Sequence, residues 1–149
     1  MRVFQLIYTS QPSEAFKQDF RAGLASILGS CRRHNAKSQI TGALLFDEHH
    51  FIQLLEGDRQ SVNEISSRIA RDGRHRNTVI VSAEECEARS FPAWAMAFID
   101  ISQTPSPLLP HDIAGEASPA SASSQSLKAF ITTEIAKARR LEITGAKAA

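Results

Sequence analysis

The order in which two hydrophobic periodicities follow each other along the chain constrains the fold more than any other feature of the sequence. The first pattern has the two-residue repeat of a strand. Its apolar residues occupy both faces, with Phe4, Leu6 and Tyr8 on one and Val3 and Ile7 on the other. A strand that is apolar on both faces is buried on both sides. This segment is therefore predicted to be central in a sheet.

The patterns after this strand predict six further elements and one hairpin turn. The first is a helix capped by Ser13, with apolar residues at helical spacing from Phe16 to Cys31. A strand after Gly42, a turn at 47–50 and a strand at 51–56 follow. The second helix begins at Gly57-Asp58 and ends near Gly73, and the last two strands are at 78–83 and 94–99. The order β-α-β-β-α-β-β is the α+β arrangement of ferredoxin-like folds with one extra strand. We expect both helices to cover the same face of the sheet.

The composition changes after this region. The segment 102–126 contains four prolines and many serines and alanines, which is typical of a loose linker. Apolar residues then return at helical spacing and predict a C-terminal amphipathic helix at 127–144. We therefore expect a domain at 1–101, a linker, and a helix that covers the sheet face left open by the first two helices.

Charge and cysteine content argue against several classes of function. Lys and Arg number 17 against 16 for Asp and Glu, so no basic surplus indicates a nucleic-acid partner. Cys31 and Cys86 form neither a CxxC pair nor a metal-ligand spacing. We expect no disulfide and no metal, and a reducing, cytoplasmic location. The first residues suit neither a signal peptide nor a membrane span, so no membrane association is expected.

No signature of catalysis is present, and we expect no enzyme activity. The sequence lacks a P-loop, a GxGxxG loop and an HExxH motif. The unusual features are polar groups within apolar strand patterns, namely Tyr8 in the first strand and Gln53 between Phe51 and Leu55 in the third. A buried Gln has four hydrogen-bonding positions to satisfy. Gln53 therefore lies on a solvated face, pairs with backbone, or serves a functional site, while Tyr8 is a core residue or part of the same site.

Three other residues also have a structural and a functional interpretation. Asn35, near the end of the first helix pattern, suits a helix C-cap. Trp94 and Met96 alternate on the last strand pattern and suit core packing. Each of the three is also a candidate for a functional site.

Together these residues and the motifs around them resemble the BLUF family of flavin-based blue-light sensors. The matching motifs are LIYTS at 6–10, CRRHNAKSQITGALLF at 31–46, HFIQLLEG at 50–57, ISSRIARDGRHRN at 65–77 and RSFPAWAM at 89–96. They follow the family's order and spacing over about residues 1–100, whereas the tail matches no family motif.

The resemblance implies a bacterial-type photoreceptor that holds a flavin noncovalently between the two helices. The flavin that the resemblance implies is FAD, with FMN and riboflavin as alternatives. Tyr8 is then the electron donor to the photoexcited flavin, and Gln53 lies between Tyr8 and the N5/C4=O edge of the ring. Asn35 is implied to hydrogen-bond the ring, and Trp94 and Met96 to relay the signal. By the same resemblance, light is expected to rearrange the hydrogen bonds of Gln53 and to shift the absorption to the red.

The resemblance also implies contacts from residues on both helices. Arg68 and Asp72 match family positions near the flavin, and a surface ion pair four residues apart is the alternative. His75 is a weaker candidate. His34 and Cys31 stand where many relatives carry Asn and Ser. His34 is expected to pack against the ring, and Cys31 either alters hydrogen bonding at the flavin edge or is a small core residue.

The implied output is a changed contact with an unidentified downstream protein, and we expect a homo-oligomer that binds neither nucleic acid nor membrane directly. Light is expected to change how residues 127–142 dock. Two other classes stay open: a light-insensitive ligand-binding module on the same scaffold, and a small acyl-phosphate hydrolase. The hydrolase needs an Arg-containing phosphate loop near the first strand, which TSQPSE at 9–14 does not supply.

Overall fold

The computed structural model describes residues 2–46, 49–91, 96–100, 127, 129–134 and 136–137. The strands in this part of the chain are β1 (Val3–Pro12), β2 (Thr41–Phe46), β3 (Phe51–Gly57), β4 (His75–Cys86) and β5 (Ala97–Asp100). The helices are α1 (Glu14–Gln18), α2 (Phe20–Lys37) and α3 (Arg59–Ala70). Residues around 127–137 are also helical where they are described.

The strands form one sheet in the order β4-β1-β3-β2-β5. β1 pairs antiparallel with β3 and β4, β2 pairs antiparallel with β3, and β5 joins β2 in parallel. This is the predicted ferredoxin-like α+β sheet with an additional strand. As expected, β1 is an interior strand, and nearly all of its residues are buried.

The sequence predicted one continuous first helix, and this prediction is wrong because the structure has two helices there, α1 and α2. Ser13 caps α1 by accepting a hydrogen bond from the Phe16 amide, as predicted. Asp19 then leaves helical geometry at φ −145° and ψ 72°, and its side chain accepts from the Ala22 amide to begin α2. The break preserves the helical spacing of the apolar residues on both sides of Asp19. Periodicity alone therefore could not reveal it.

Three predicted boundaries also differ. β4 begins at His75 and ends at Cys86, well beyond the predicted 78–83. α3 ends at Ala70 with Arg71 as its C-cap, so Gly73 lies in the turn that follows the helix. The last strand begins at Ala97, and Trp94 lies outside the described residues.

The sheet separates two apolar layers. The helices α1–α3 cover one face, where Phe4, Leu6 and Tyr8 of β1 join a cluster with Phe16 and Val62. The opposite face carries a second cluster, which contains Ile7, Leu45 and Leu54 from the strands and Leu127, Phe130 and Ile131 from the C-terminal helical residues. The face that α1–α3 leave open is therefore covered by those C-terminal residues. The bounds of the linker and of the helix remain predictions, since 101–126, Ile135 and 138–149 lie outside the described residues.

Gly42 allows β2 and β3 to approach each other closely. A Cβ at this position would lie 1.9 Å from the Leu54 carbonyl oxygen, which belongs to the backbone and has little freedom to yield. By contrast, a Cβ at Gly73 would meet no atom within 4 Å. Gly42 therefore serves the pairing of these strands, and not only the start of β2 that the sequence suggested.

We predict that Gly42→Ala lowers the free energy of unfolding by about 1–3 kcal/mol, the usual range for forcing an extra carbon into a packed site. Gly73→Ala is the matched control and should change it by less than about 0.5 kcal/mol. Urea denaturation of both variants measures the difference. Equal stability of the two variants would contradict the close-approach argument.

Candidate functional site

A cleft lies between α2, α3 and the helix-covered face of the sheet. It contains about 660 Å³ of empty space, a volume that includes the open mouth of the cleft. Its lining contains all six cofactor-binding residues predicted from the sequence: Tyr8, His34, Asn35, Gln53, Arg68 and Asp72. The fold thus brings together residues that lie on four different secondary-structure elements, namely β1, α2, β3 and α3, and in one loop.

The floor of the cleft is set by the pairing of β1 with β3. In this antiparallel register Tyr8 lies directly opposite Gln53, and both side chains lie on the helix-covered face because their apolar strand neighbours do. The two residues are only 4% and 2% exposed. Gln53 is therefore not on a solvated face, and the first of its structural interpretations is wrong.

Gln53 donates a hydrogen bond from Nε2 to Sδ of Met96 at 3.6 Å. Met96 is itself buried and directly precedes β5. A thioether sulfur is a weak acceptor, so this bond holds the carboxamide less firmly than a carbonyl or carboxylate would. A second contact reaches the same residue, because Nε of Arg32 on α2 donates to the Met96 carbonyl at 3.3 Å.

Tyr8 is the only tyrosine of the chain. Burial raises its pKa well above the usual value, and the nearby Cys31 and Asp72 raise it further. The phenol therefore stays protonated at neutral pH and is available as a hydrogen-bond donor. Its ring centroid lies 6.4 Å from that of His75, at an interplanar angle of 53°.

His75 lines the cleft through contacts on both of its ring nitrogens. Nδ1 lies 2.7 Å from the hydroxyl oxygen of Ser10, and Nε2 contacts the Ile69 carbonyl. Because a carbonyl only accepts, Nε2 carries the proton, and in the neutral ring Nδ1 accepts from Ser10. His75, which was the weakest candidate for the site from the sequence, therefore fixes the start of β4 against β1 and α3.

Asp72 pairs with Arg74 in the turn before β4, and not with Arg68 one helical turn earlier. Arg74 Nη2 lies 2.6 Å from one Asp72 oxygen, and Nε lies 2.9 and 3.0 Å from the two oxygens. These hydrogen bonds hold the pKa of the Asp72 carboxyl below its usual range. Nη1 of Arg74 also donates to the Ser26 hydroxyl on α2. Arg74 thus ties the turn after α3 to α2 beside the cleft, a role that sequence reasoning missed.

Residues of α2 form the other wall. Asn35 is 1% exposed and lies inside the helix, whose C-cap is Ser38, so the C-cap interpretation of Asn35 is wrong. Just after the C-terminus of α2, the Ile40 amide donates a hydrogen bond to the Asn35 carbonyl at 2.8 Å. Gln39, between the helix and Ile40, has the left-handed φ of 55° that is common at helix ends. Cys31 is partly buried, and this burial raises the pKa of its thiol. His34 is exposed at the rim of the cleft.

Comparison with known proteins identifies this arrangement. A family model described as BLUF, sensors of blue-light using FAD, matches residues 3–97. The chain belongs to the BLUF family. It is a blue-light sensor domain that uses a flavin, and the ferredoxin-like sheet is the fold of its structural neighbours.

Curated relatives and solved structures agree with this assignment. The blue light- and temperature-regulated antirepressor BluF of Escherichia coli is 36% identical over 78 residues, which are 52% of this chain and 19% of the relative. The photoactivated adenylate cyclase subunit beta of Euglena longa is 33% identical over 85 residues, 56% of this chain and 10% of the relative. The photo-activated state of BlsA superposes with a TM-score of 0.75 at 25% identity, covering 91% of this chain and 95% of BlsA. The chain therefore matches only a small part of the length of both curated relatives.

Two further properties concern the described residues of the BLUF domain. None of its helices there is both long and apolar enough to cross a bilayer. No three His, Cys, Asp or Glu side chains in that part of the chain converge as metal ligands.

A polar network on the opposite face of the sheet was not predicted. The carboxylate of Glu56 at the end of β3 is completely buried. It accepts hydrogen bonds from the amides of Ser90 and Phe91 at 2.8 and 2.6 Å, from the Thr41 hydroxyl at 3.2 Å, and from Gln5 Nε2 at 3.4 Å. A charge at the end of a strand pattern ordinarily lies in solvent, so the sequence carried no signal for this role. Glu56 thus anchors the segment that leads towards Met96.

We predict that Glu56→Gln lowers the free energy of unfolding by about 1–3 kcal/mol, because an amide group replaces one accepting oxygen and leaves a buried donor without its partner. Flavin absorption should persist, since Glu56 lies on the sheet face away from the cleft. Urea denaturation and hydrogen exchange of the Ser90 and Phe91 amides measure the two effects. The exposed Glu87→Gln is the matched control. If both variants were equally stable, the anchoring role of Glu56 would be refuted.

Proposed function

We propose that this BLUF domain converts blue light into a change in the hydrogen bonds of Gln53, which passes through Met96 to a partner protein. The observation that carries the proposal is the position of Gln53. It lies opposite Tyr8 on the floor of the cleft and is bonded to Met96. The Gln53 carboxamide thereby contacts both the predicted cofactor site and the residue that directly precedes β5.

The lining of the cleft fits a flavin. Ile27, Leu44 and Ile65 supply apolar surface for the faces of an aromatic ring. Gln53 and Asn35 supply buried carboxamides, which suit the alternating donors and acceptors of the polar ring edge. We propose FAD as the cofactor, in agreement with the family description. The bound flavin supplies blue-light absorption and, when excited, a strong one-electron oxidant.

Binding is proposed to be noncovalent. Cys31 is the cysteine that lines the cleft, whereas Cys86 lies at the end of β4. Burial raises the pKa of the Cys31 thiol, and the thiolate, not the thiol, is the nucleophile in attachment reactions. Cys31 is therefore poorly suited to form a covalent bond to the ring.

Tyr8 is proposed to donate one electron when light is absorbed. Its phenol is buried and protonated, and loss of an electron makes the Oη proton strongly acidic. Gln53 is the polar neighbour directly across the strand pair. A carboxamide both accepts and donates, so Gln53 would pass this proton towards the flavin that took the electron. Return of the electron and the proton to Tyr8 would then leave Gln53 rotated or tautomerised. The rearrangement changes hydrogen bonds without requiring any movement of β3.

Met96 is proposed to respond first to the change in the hydrogen bonds of Gln53. Exchange of the weak bond between Gln53 Nε2 and Met96 Sδ costs little free energy, and the flexible methionine repacks readily. The Arg32 contact to the Met96 carbonyl lets α2 respond as well. Trp94 keeps its proposed place in this relay, although it lies outside the described residues.

The proposed exit for the signal is the sheet face opposite the cleft. Ile99 of β5 packs against the cluster that contains Leu127, Phe130 and Ile131. A shift of β5 therefore reaches the C-terminal helical residues through direct packing. The named relatives include an antirepressor and an adenylate cyclase, so this sensor module is used with different effectors. We propose that this chain is not itself an enzyme and acts on a separate protein.

We predict that the protein purified in the dark is yellow and that blue light shifts its flavin absorption to longer wavelength, with recovery in the dark. Absorption spectra before and after illumination check this. Denaturation followed by filtration should release all of the flavin, because no covalent bond holds it. A colourless protein that cannot be loaded with FAD would refute the photoreceptor proposal. Flavin retained by the denatured chain would refute the noncovalent part alone.

We predict that Tyr8→Phe and Gln53→Leu each abolish the normal red shift and keep the flavin bound. Tyr8→Phe removes the phenolic proton and makes electron donation harder, and Gln53→Leu removes the donor and the acceptor at similar volume. Gln60→Leu on the exposed face of α3 is the control and should keep the full shift. Trp94→Phe, which removes the only tryptophan, should also keep it. A wild-type shift in either site variant would disprove the role given to that residue.

A further inference from the structure

Met96 is positioned by two polar contacts that come from other parts of the fold. It directly precedes β5 and lies just before the paired positions of β5 and β2, which begin at Ala97 and Ala43. Its sulfur accepts a hydrogen bond from Gln53 Nε2, and its carbonyl accepts one from Nε of Arg32 at 3.3 Å. A side chain of β3 and a side chain of α2 therefore hold the same residue.

The Arg32 guanidinium has the Met96 carbonyl as its partner. Arg32 forms no ion pair within the described part of the chain, although its side chain is largely exposed. It is also not among the residues that line the cleft. An exposed arginine that is held in one conformation loses side-chain entropy, so the contact with Met96 has to offset this cost. Arg32 can therefore act on Met96 without touching the predicted flavin site.

Helix α2 connects this contact to the cleft. Asn35 follows Arg32 by three residues, so the two side chains are neighbours on the surface of the helix. Asn35 is 1% exposed and lines the cleft, as Gln53 does. Met96 is thus linked to the cleft twice, directly through Gln53 and indirectly through Arg32 and α2.

The two contacts on Met96 differ in what they can hold. A thioether is a weak acceptor on a flexible side chain, so the bond from Gln53 does not by itself fix where the sulfur lies. The donor on Arg32 belongs to a cation, which strengthens its bond to a carbonyl, and it acts on the backbone. Holding the backbone at Met96 limits the positions that Sδ can reach. The Arg32 contact therefore favours formation of the weak bond between Gln53 and Met96.

We propose that Arg32 is a positioning residue that holds the Met96 carbonyl, keeps Sδ beside Gln53 and thereby sets how fast the light state returns to the dark state. The inference rests on the proposed function, in which Gln53 exchanges its bond to Met96 in the light and regains it in the dark. Without Arg32, Met96 has more positions available, and fewer of them allow the bond to form again. The light state then lasts longer, whereas the size of the red shift, which depends on Gln53 at the flavin, is unchanged.

The test follows the dark recovery of the red shift in the full, flavin-loaded chain. Arg32→Met keeps an unbranched side chain of similar helix propensity and removes the donor. It should slow recovery about fivefold, which is the rate effect of losing one ordinary hydrogen bond. Arg32→Lys keeps a cationic donor and should recover faster than Arg32→Met. Arg33→Met, at the exposed neighbouring position on α2, is the matched control and should recover at the wild-type rate.

A second background separates positioning from a general effect on the fold. Met96→Leu has a similar volume but no acceptor sulfur, so the position of residue 96 no longer serves a bond to Gln53. Adding Arg32→Met to Met96→Leu should therefore change recovery by less than about twofold. An equal slowing by Arg32→Met in both backgrounds would show a structural effect only and would overturn the inference.

Three further outcomes would also overturn it: wild-type recovery in Arg32→Met, no gain from lysine over methionine at position 32, or equal slowing by Arg33→Met. In each of these cases the wild type still shows its red shift, so the proposed function stands. A flavin-loaded wild type without a red shift would instead refute the proposed function, and this inference with it.

Discussion

The antiparallel register of β1 and β3 is the constraint on which the rest of the site depends. It sets Tyr8 opposite Gln53 on the face that α1–α3 cover. If either strand slipped by one residue, its own side chains would move to the opposite face, and Tyr8 and Gln53 would no longer share the cleft. The apolar residues of the slipped strand, such as Ile7 of β1 or Leu54 of β3, would then leave the second core cluster. The packing that stabilises the sheet therefore also determines which two polar groups meet in the cleft.

The network around Gln53 combines strong and weak contacts in a way that suits a switch. Arg74 holds Asp72 with several short charged hydrogen bonds, and the buried Glu56 accepts two short backbone amide bonds. These contacts fix the turn before β4 and the segment before β5. Gln53, in contrast, donates to a thioether. A rigid frame around one weakly held carboxamide lets the carboxamide change its partners while the backbone stays in place.

Apolar periodicity predicted the order of the strands along the chain, because burial leaves a periodic record in apolar side chains. The residues of the cleft were instead predicted from the resemblance to the BLUF family. Periodicity could not predict the break at Asp19, since the apolar spacing continues across it. The role of Glu56 was also missed, because the partners that satisfy its charge are distant in sequence, at Gln5, Thr41 and 90–91. Similarly, Asp72 had two basic residues within reach, and only the geometry of the turn favours Arg74 over Arg68.

The central claim is that light changes the hydrogen bonding of the Gln53 carboxamide. The most direct test is an infrared light-minus-dark difference spectrum of protein whose glutamine side-chain carbonyls carry ¹³C, compared with unlabelled protein. The account predicts difference bands in the carbonyl region that shift with the label in the wild type and are missing in labelled Gln53→Leu. Difference bands that do not respond to the label, in a protein that still shows the full red shift, would contradict it.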